Sequence, residues 1–306
     1  MFIKLTIACS LISIISGSSL GGSVFNLTNN IDGLLIPVSS ADRQFYIETR
    51  TPITSTGTLM GGPSDNLHLM DANGNPVAVP LTRERQFLQS SFLAPYMSIT
   101  PGSSFAAHFR NAMLLPPSDT HPTFRLLAGM TDDPSQNCYE GTIGYAQMPQ
   151  DAIRLSVRVS VIPATGRTIV TRETNQLNGQ RTTFSVTTCR HGSVIPYEIY
   201  EIWHEELMNI AGVENRAALR GIDWSPFLHL LPSIEFTVYR STDSDEIVAR
   251  IVLEARDFVN VLPLHADVML TTSFYDSQFA FGLSTLKYMG IHFDYENSRI
   301  GFCEPI

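Results

Sequence analysis

The chain of 306 residues has little charge and very little lysine. Charged residues make up 16% of it, against roughly 25% in an average globular domain. Acidic residues outnumber basic ones by 29 to 20, which gives a formal net charge of -9. No basic patch with interleaved aromatic residues occurs, and an acidic surface repels polyanions. We therefore expect neither nucleic acids nor anionic membranes as partners.

Cysteine is also scarce, with residues at 9, 138, 189 and 303. They form no CxxC motif and have no histidine at a metal-binding spacing, so we expect no metal and no cofactor. If a cleaved leader removes Cys9, three cysteines remain. One disulfide and one free thiol is then the simplest count.

Long apolar runs are missing, and the one short run at the beginning of the sequence covers residues 5–15. It follows Lys4 and precedes the small residues 16–19, which is typical of a secretory signal peptide over residues 1–18. The run is too short to span a bilayer comfortably. We expect a secreted protein without a stable membrane anchor. The alternative is that residues 2–7 form the first strand of the folded domain.

Val, Ile, Thr, Ser, Phe and Tyr are plentiful, and this composition favours strands. Apolar residues alternate along 153–162, which predicts a strand with one buried face. Similar runs at 234–239 and 246–253 flank a polar turn and predict a β-hairpin. Residues 73–76 are a second turn between apolar stretches. We expect an all-β protein with a few short helices.

The strongest helical pattern begins after Pro196 and runs from residue 197 to residue 210. Apolar side chains recur in it at steps of three and four residues, and Gly212 follows as a helix terminator. The residues that share this face are Tyr200, Trp203, Leu207 and Ile210. A second, shorter helix is predicted over residues 284–289.

Two short motifs resemble functional sites. His204-Glu205-Glu206 begins like a zinc-binding HExxH helix but lacks the second histidine, so we expect it on the solvated face of the helix. Asn26-Leu27-Thr28 is the one N-glycosylation sequon in the chain. Its threonine, Thr28, is expected in a loop in the protein interior, so we do not expect Asn26 to be glycosylated.

Several segments, in order, resemble pepsin-like aspartic peptidases. The closing segment carries the most specific likeness: Phe281-Gly282, a short helix near Lys287, and a strand, turn and strand over residues 291–302. Further segments with the family's patterns precede it, at residues 57–61 with Asp65, 126–129, 133–134, 139–143 and 231–236. The likeness therefore extends over nearly the whole chain.

The resemblance implies two β-rich lobes related by a pseudo-twofold axis, here residues 19–136 and 137–306. In this family each lobe contributes one D-T/S-G loop to a shared cleft that holds peptides. The two aspartates share a proton, because like charges so close cannot both ionise easily, and together they activate the attacking water.

Both aspartates are replaced in this chain. The family places a proline nine residues after each aspartate. Counting back from Pro37 gives Thr28-Asn29-Asn30, and counting back from Pro196 gives Thr187-Thr188-Cys189. We therefore expect Thr28 and Thr187 at the catalytic positions and hydrogen-bonded to each other. Asp32 lies only five residues before Pro37, so it fits the spacing poorly.

Other family features are only half kept. An apolar-apolar-glycine element supports each loop in the family; Gly282 retains this glycine, whereas Ser98 stands near its place in the first lobe. The flap tyrosine is missing from the corresponding stretch, residues 52–55. The family also places the strands near Cys138 and Cys303 in one sheet, which implies a disulfide between them and leaves Cys189 as a free thiol.

The resemblance and the lost aspartates together predict a secreted, monomeric, catalytically inactive homologue that binds peptides or proteins in its cleft. One alternative is an aspartic endopeptidase with an atypical site, for example one built around Asp32. Another is a structural or storage protein whose cleft has collapsed.

Overall fold

A computed structural model describes residues 22–30, 32–39, 44–51, 54–55, 66–81, 95–148, 153–162, 164, 181–254, 270–273 and 279–306. The predicted signal peptide, Cys9, the glycine-containing segment 57–65 and residues 52–53 lie outside this part of the chain. The strands are β1 (Ser23–Asn30), β2 (Gly33–Pro37), β3 (Gln44–Glu48), β4 (Asn66–Met70), β5 (Pro76–Pro80), β6 (Tyr96–Ser98), β7 (Asn111–Leu115), β8 (Phe124–Ala128), β9 (Gly144–Gln147), β10 (Leu155–Ile162), β11 (Arg181–Val186), β12 (Ser193–Pro196), β13 (Ser233–Tyr239), β14 (Ile247–Leu253), β15 (Leu270–Ser273), β16 (Ala280–Phe281), β17 (Gly290–Asp294) and β18 (Arg299–Cys303).

Helices are few and mostly short, which confirms the predicted all-β class. Those in the described part of the chain are α1 (Ser104–Phe109), α2 (Tyr197–Ala211) and α3 (Leu283–Leu286), with 3-10 turns at Pro134–Asn137, Arg216–Gly221 and Ser225–Leu230. α2 ends as predicted at Gly212, whose φ of 67° lets its N–H donate to the Met208 carbonyl. No helix in the described part of the chain is long and apolar enough to cross a membrane.

The expectation that His204 and Glu206 lie on a solvated helix face is wrong. His204 is 5% exposed and Glu206 is 6% exposed. The helical pattern identified only one apolar face, but α2 packs against β10 and β12 and also against the two 3-10 turns that follow it. More than one side of the helix is therefore covered, and the His204 ring lies 4.3 Å from the ring of Tyr200.

Two large sheets organise the fold. The first has nine strands in the order β6-β3-β2-β1-β8-β7-β17-β18-β9, and the second has seven in the order β14-β13-β10-β11-β16-β12-β15. The predicted hairpin is present as β13–β14, and the predicted turn at residues 73–76 joins β4 to β5, which also pair with each other. In the β4–β5 turn the Asp71 carboxylate accepts hydrogen bonds from the backbone N–H groups of Asn73 and Asn75, at 2.9 and 2.7 Å.

The nine-stranded sheet joins the first half of the chain to its last strands. β17 pairs antiparallel with β7, and β18 pairs with β9. The predicted disulfide between Cys138 and Cys303 is confirmed, with a Cα–Cα distance of 5.7 Å. Next to it, the backbone N–H of Tyr139 donates to the carbonyl of Glu304 at 2.8 Å. The covalent link therefore lies at the end of the same sheet.

Candidate functional site

Two short segments, one from each large sheet, meet through their threonines. Thr49 follows β3, and its Oγ1 donates to the carbonyl of Val186 at 2.6 Å. Thr188 follows β11, and its Oγ1 donates to the carbonyl of Ile47, also at 2.6 Å. Each hydroxyl thus reaches the carbonyl two residues before the other threonine, so the contact is reciprocal. Both threonines are fully buried.

The strands that lead into these segments, β3 and β11, each pair in parallel with a strand that comes later in the chain. β3 pairs in parallel with β6, which sets Ile47 opposite Met97 and Glu48 opposite Ser98. β11 pairs in parallel with β16, which sets Val186 opposite Phe281. The backbone N–H of Thr187 then donates to the carbonyl of Phe281 at 2.9 Å. The two sites are locally equivalent.

This equivalence matches the residues of one segment with those of the other. Glu48 corresponds to Thr187, Thr49 to Thr188 and Arg50 to Cys189. On the supporting strands, Ser98 corresponds to Gly282, as expected from the sequence. We call residues 47–50 the first segment and residues 186–189 the second segment.

The first segment holds a buried carboxylate with four donors around it. Glu48 is 5% exposed and accepts hydrogen bonds from the backbone N–H groups of Thr49 (2.9 Å) and Arg50 (2.7 Å). The guanidinium of Arg50 adds two more, both at 3.1 Å. The hydrogen bond to Glu48, which outweighs the opposing effect of burial, raises the pKa of Arg50 above its ordinary value. The Arg50 side chain itself is half exposed.

The second segment contributes a hydroxyl and a thiol instead. Thr187 is 2% exposed. The Cys189 thiol donates to the carbonyl of Ile47 at 2.9 Å. Burial, reinforced by the charge of Glu48, raises the pKa of Cys189 to about 12, so the group is a neutral thiol at physiological pH. The two segments together therefore present one carboxylate rather than two.

The prediction that Thr28 occupies the position opposite Thr187 is wrong. Thr28 lies inside β1 with its side chain exposed, and it pairs with Leu35 of β2. Asn29 and Asn30 are exposed on the same strand. The count began at Pro37, but this proline ends β2, which comes before β3 and the first segment rather than after it. Counting back from it therefore led to a strand outside the two segments, whereas Thr187 follows β11 and lies in the second segment.

The hairpin of β1 and β2 still reaches the second segment, through its turn. The backbone N–H of Leu34 donates to the carbonyl of Thr188 at 2.9 Å. A Cβ atom on Gly33 would lie 2.5 Å from the same carbonyl oxygen, so only glycine permits this approach. Asp32 is exposed in the turn, and its charge adds to the effect of burial in raising the pKa of Tyr46.

Sequence reasoning missed the first segment, although a signal was present. Residues 44–47 form a strand rich in apolar residues, and Glu48-Thr49 follows it as an acidic residue followed by threonine. The sequence comparison did not find it, because Glu48-Thr49-Arg50 has neither the aspartate nor the glycine of a D-T-G motif. Only the hydrogen bonds to the second segment make the correspondence clear.

Within the described ranges, no three His, Cys, Asp or Glu side chains are placed to hold a metal ion together. Compared with protein-family models and with curated proteins, the sequence matches none of them. Its function is therefore argued from the two segments and from the residues around them.

Proposed function

We propose that this protein is a secreted, catalytically inactive homologue of the pepsin-like aspartic peptidases, and that it binds a peptide or protein segment in the cleft between two lobes, residues 19–136 and 137–306. The reciprocal contact of Thr49 and Thr188, with a single carboxylate beside it, carries the proposal. Its local twofold relation is of the kind that the resemblance predicts, and it supports the proposal that Glu48 and Thr187 stand where the family has its two aspartates.

The chemistry of those two positions favours inactivity. Peptide hydrolysis by this family needs one carboxylate as the base and a second, protonated one as the acid. Glu48 faces a segment that offers the hydroxyl of Thr187, which has no useful acidity near neutral pH. Arg50 also binds both oxygens of the Glu48 carboxylate, where a shared proton or an attacking water would have to lie.

Without the catalytic residues for hydrolysis, the proposed cleft could still bind a peptide. The half-exposed Arg50 interacts electrostatically with Tyr96. Burial together with the charge of Glu48 raises the pKa of Tyr96, so this phenol stays neutral and able to donate a hydrogen bond. A guanidinium with a neighbouring aromatic hydroxyl can hold carbonyl and carboxylate oxygens of an extended peptide. The Cys138–Cys303 disulfide is consistent with secretion, because structural disulfides persist in oxidising compartments.

The first experiment is to incubate the purified protein with an unstructured protein mixture, from acidic to neutral pH, with and without pepstatin. We expect no pepstatin-sensitive cleavage. Cleavage that pepstatin blocks and that Glu48→Gln abolishes would contradict the proposal, because Glu48 would then act as a catalytic carboxylate. Cleavage that persists in Glu48→Gln would indicate a contaminating peptidase.

The second experiment measures binding to an immobilised library of extended peptides. We expect the wild-type protein to retain a subset of them and Arg50→Ala to retain them several-fold less well. Arg240→Ala is the matched control, since Arg240 also forms an exposed ion pair, with Glu246 on the seven-stranded sheet. Equal loss in both variants, or no binding by the wild-type protein, would favour the reading as a structural protein with a collapsed cleft.

A further inference from the structure

We propose that Asn26 carries an N-linked oligosaccharide. Asn26-Leu27-Thr28 has the sequence that the glycosylation machinery of the secretory pathway recognises, an asparagine followed two residues later by a threonine. This proposal rests on the secretion that is part of the proposed function. It does not rest on inactivity or on peptide binding, because it concerns the outer face of β1 and not the two segments.

The geometry of β1 places the acceptor and its recognition residue on the same side. Side chains alternate along a strand, and here Phe25 and Leu27 are 0% and 1% exposed whereas Asn26 and Thr28 are exposed. The amide that would receive the sugar and the hydroxyl that marks it therefore project together into solvent. The expectation of a buried Thr28, which spoke against use of the sequon, does not hold in this structure.

An oligosaccharide on Asn26 would leave the sheet intact. The backbone of β1 is already paired along its length, with β8 from Ser23 to Leu27 and with β2 from Thr28 to Asn30. The Asn26 side chain makes no hydrogen bond to any other described residue. Attaching a sugar to it would therefore break no contact in the described part of the chain and would leave no buried group without a partner.

The disulfide gives a second, independent reason. Cys138 and Cys303 are joined, and structural disulfides are a feature of proteins that pass through an oxidising secretory compartment. The oligosaccharide is transferred in the same compartment. The predicted signal peptide over residues 1–18 would direct the chain there.

The transfer step uses a lipid-linked oligosaccharide as the co-reactant. Nδ2 of Asn26 forms a bond to C1 of the reducing-end sugar, while the bond from C1 to the pyrophosphate oxygen breaks. The polyprenyl pyrophosphate leaves with the bonding electron pair, and Nδ2 gives up one proton to a base of the transferase. The Thr28 hydroxyl is bound by the transferase and is not consumed.

The test is to express the full chain in a eukaryotic secretory cell line and to map the secreted protein by mass spectrometry, before and after treatment with peptide N-glycosidase. We expect a glycan at Asn26 in most molecules, and conversion of that residue to aspartate when the enzyme releases the sugar. Asn26→Gln and Thr28→Val should lose the glycan, whereas Thr28→Ser should keep it. Asn73→Gln, which changes an exposed asparagine outside any sequon, should keep it as well.

Unmodified Asn26 in secreted wild-type protein would overturn the proposal, and so would retention of the chain inside the cell with free thiols at Cys138 and Cys303. Because the wild-type protein is mapped directly, poor secretion of a variant would not obscure the result. A glycan mass that persists in Asn26→Gln would also overturn the assignment to this residue.

Discussion

The first and second segments have the same backbone environment but different side-chain chemistry. Each follows a strand that pairs in parallel with a later strand, and each sends a threonine hydroxyl to the other at 2.6 Å. Beside its threonine the first segment has a carboxylate and a guanidinium, Glu48 and Arg50. The second has a hydroxyl and a thiol, Thr187 and Cys189.

This difference separates two roles that a symmetric site would combine. The threonines satisfy buried carbonyls and join the two sheets, so replacing them affects folding. The residues on either side of them determine whether the site can move protons, and these differ between the two segments while the threonine contact is the same in both. Joining the sheets and catalysing a reaction are therefore separable properties of this site.

The most disruptive way to make the segments alike is Thr187→Asp. A second carboxylate would be buried close to Glu48, so we expect a loss of about 3 kcal/mol of unfolding free energy at neutral pH. The pKa of the new group would be raised in the folded state, so the loss should disappear as pH falls below its unfolded value of about 4. Denaturant unfolding at several pH values measures this.

Thr187→Asn is the matched control for that variant, because it has a similar size and no charge. We expect it to be milder and independent of pH. If Thr187→Asp were as stable as the wild type at neutral pH, the side chain of residue 187 would not face Glu48, and the equivalence of the two segments would fail.

The next test removes the reciprocal hydrogen bonds with Thr49→Val and Thr188→Val. Thr49→Val leaves the Val186 carbonyl without its hydroxyl donor and the Thr188 N–H without its acceptor, so it should cost about 1–3 kcal/mol. Thr188→Val should cost less, because the Ile47 carbonyl still accepts from the Cys189 thiol. Thr28→Val is the control: its side chain is exposed on β1, and we expect a change within about 0.5 kcal/mol. Thermal or urea unfolding compares the three.

A double variant of Thr49 and Thr188 sharpens this result. If the two bonds belong to one network, the combined loss should differ from the sum of the single losses. A large effect of Thr28→Val with small effects of the other two would restore the sequence-based placement of the site.

A third test separates the acid sensitivity of the nine-stranded sheet from that of the segments. His292 on β17 is 5% exposed, and its Nδ1 lies 2.9 Å from the hydroxyl of Tyr145. Burial lowers its pKa below 6.5, against the opposing effects of Asp294 and Asp133 and with a smaller contribution from Arg299. The unfolded chain then binds a proton that the folded one resists, so stability should fall as pH drops from about 6.5 toward the lower folded value.

His292→Gln should flatten this dependence, whereas His108→Gln, at an exposed site on α1, should not. The measurement is the free energy of unfolding of both variants at several pH values between neutral pH and about pH 5. The pKa of Asp294 is also lowered, where hydrogen bonds from Asn297 and Arg299 outweigh the effect of burial, so its contribution is lost only below its ordinary value of 3.8. An unchanged pH dependence in His292→Gln would contradict the explanation.

The smallest effect is expected at Cys189, which takes the place of Arg50 in the second segment. With a pKa of about 12 it should react very slowly with iodoacetamide near pH 8 in the folded protein and rapidly after unfolding. Cys189→Ala should change stability by no more than about 1 kcal/mol, since the Ile47 carbonyl still accepts from Thr188. Peptide mapping distinguishes alkylated Cys189 from alkylated Cys9. Rapid alkylation of Cys189 in the folded protein would show that its thiol is not buried against the Ile47 carbonyl.

Local patterns predicted much of this fold. The helix over 197–211, the hairpin of β13 and β14 and the Cys138–Cys303 disulfide were all predictable, because periodicity and turn residues act over short distances and the family likeness paired the cysteines. Burial of His204 was not, because it depends on which elements fold over the other side of the helix.

Of the two residues reached by counting, only Thr187 lies in one of the two segments. It was counted from Pro196, which directly precedes α2. Thr28 was wrong because Pro37 belongs to a strand that precedes the site. A proline alone cannot show which strand it ends, whereas the hydrogen bonds of Thr49 and Thr188 depend on residues 139 positions apart in the sequence.

The pairing of β7 with β17 also has a consequence for how the chain folds. During synthesis, β7 emerges long before β17, the strand that pairs with it. One edge of β7 therefore stays unpaired until residues near position 290 have been made. The disulfide spans 165 residues and can form only later still, because Cys303 follows β17 in the chain. Contacts of such long range make folding slow and leave strand edges open to other chains. We therefore expect the nascent chain to depend on chaperones until its final strands arrive, and truncation before β17 to yield aggregates rather than a folded first half.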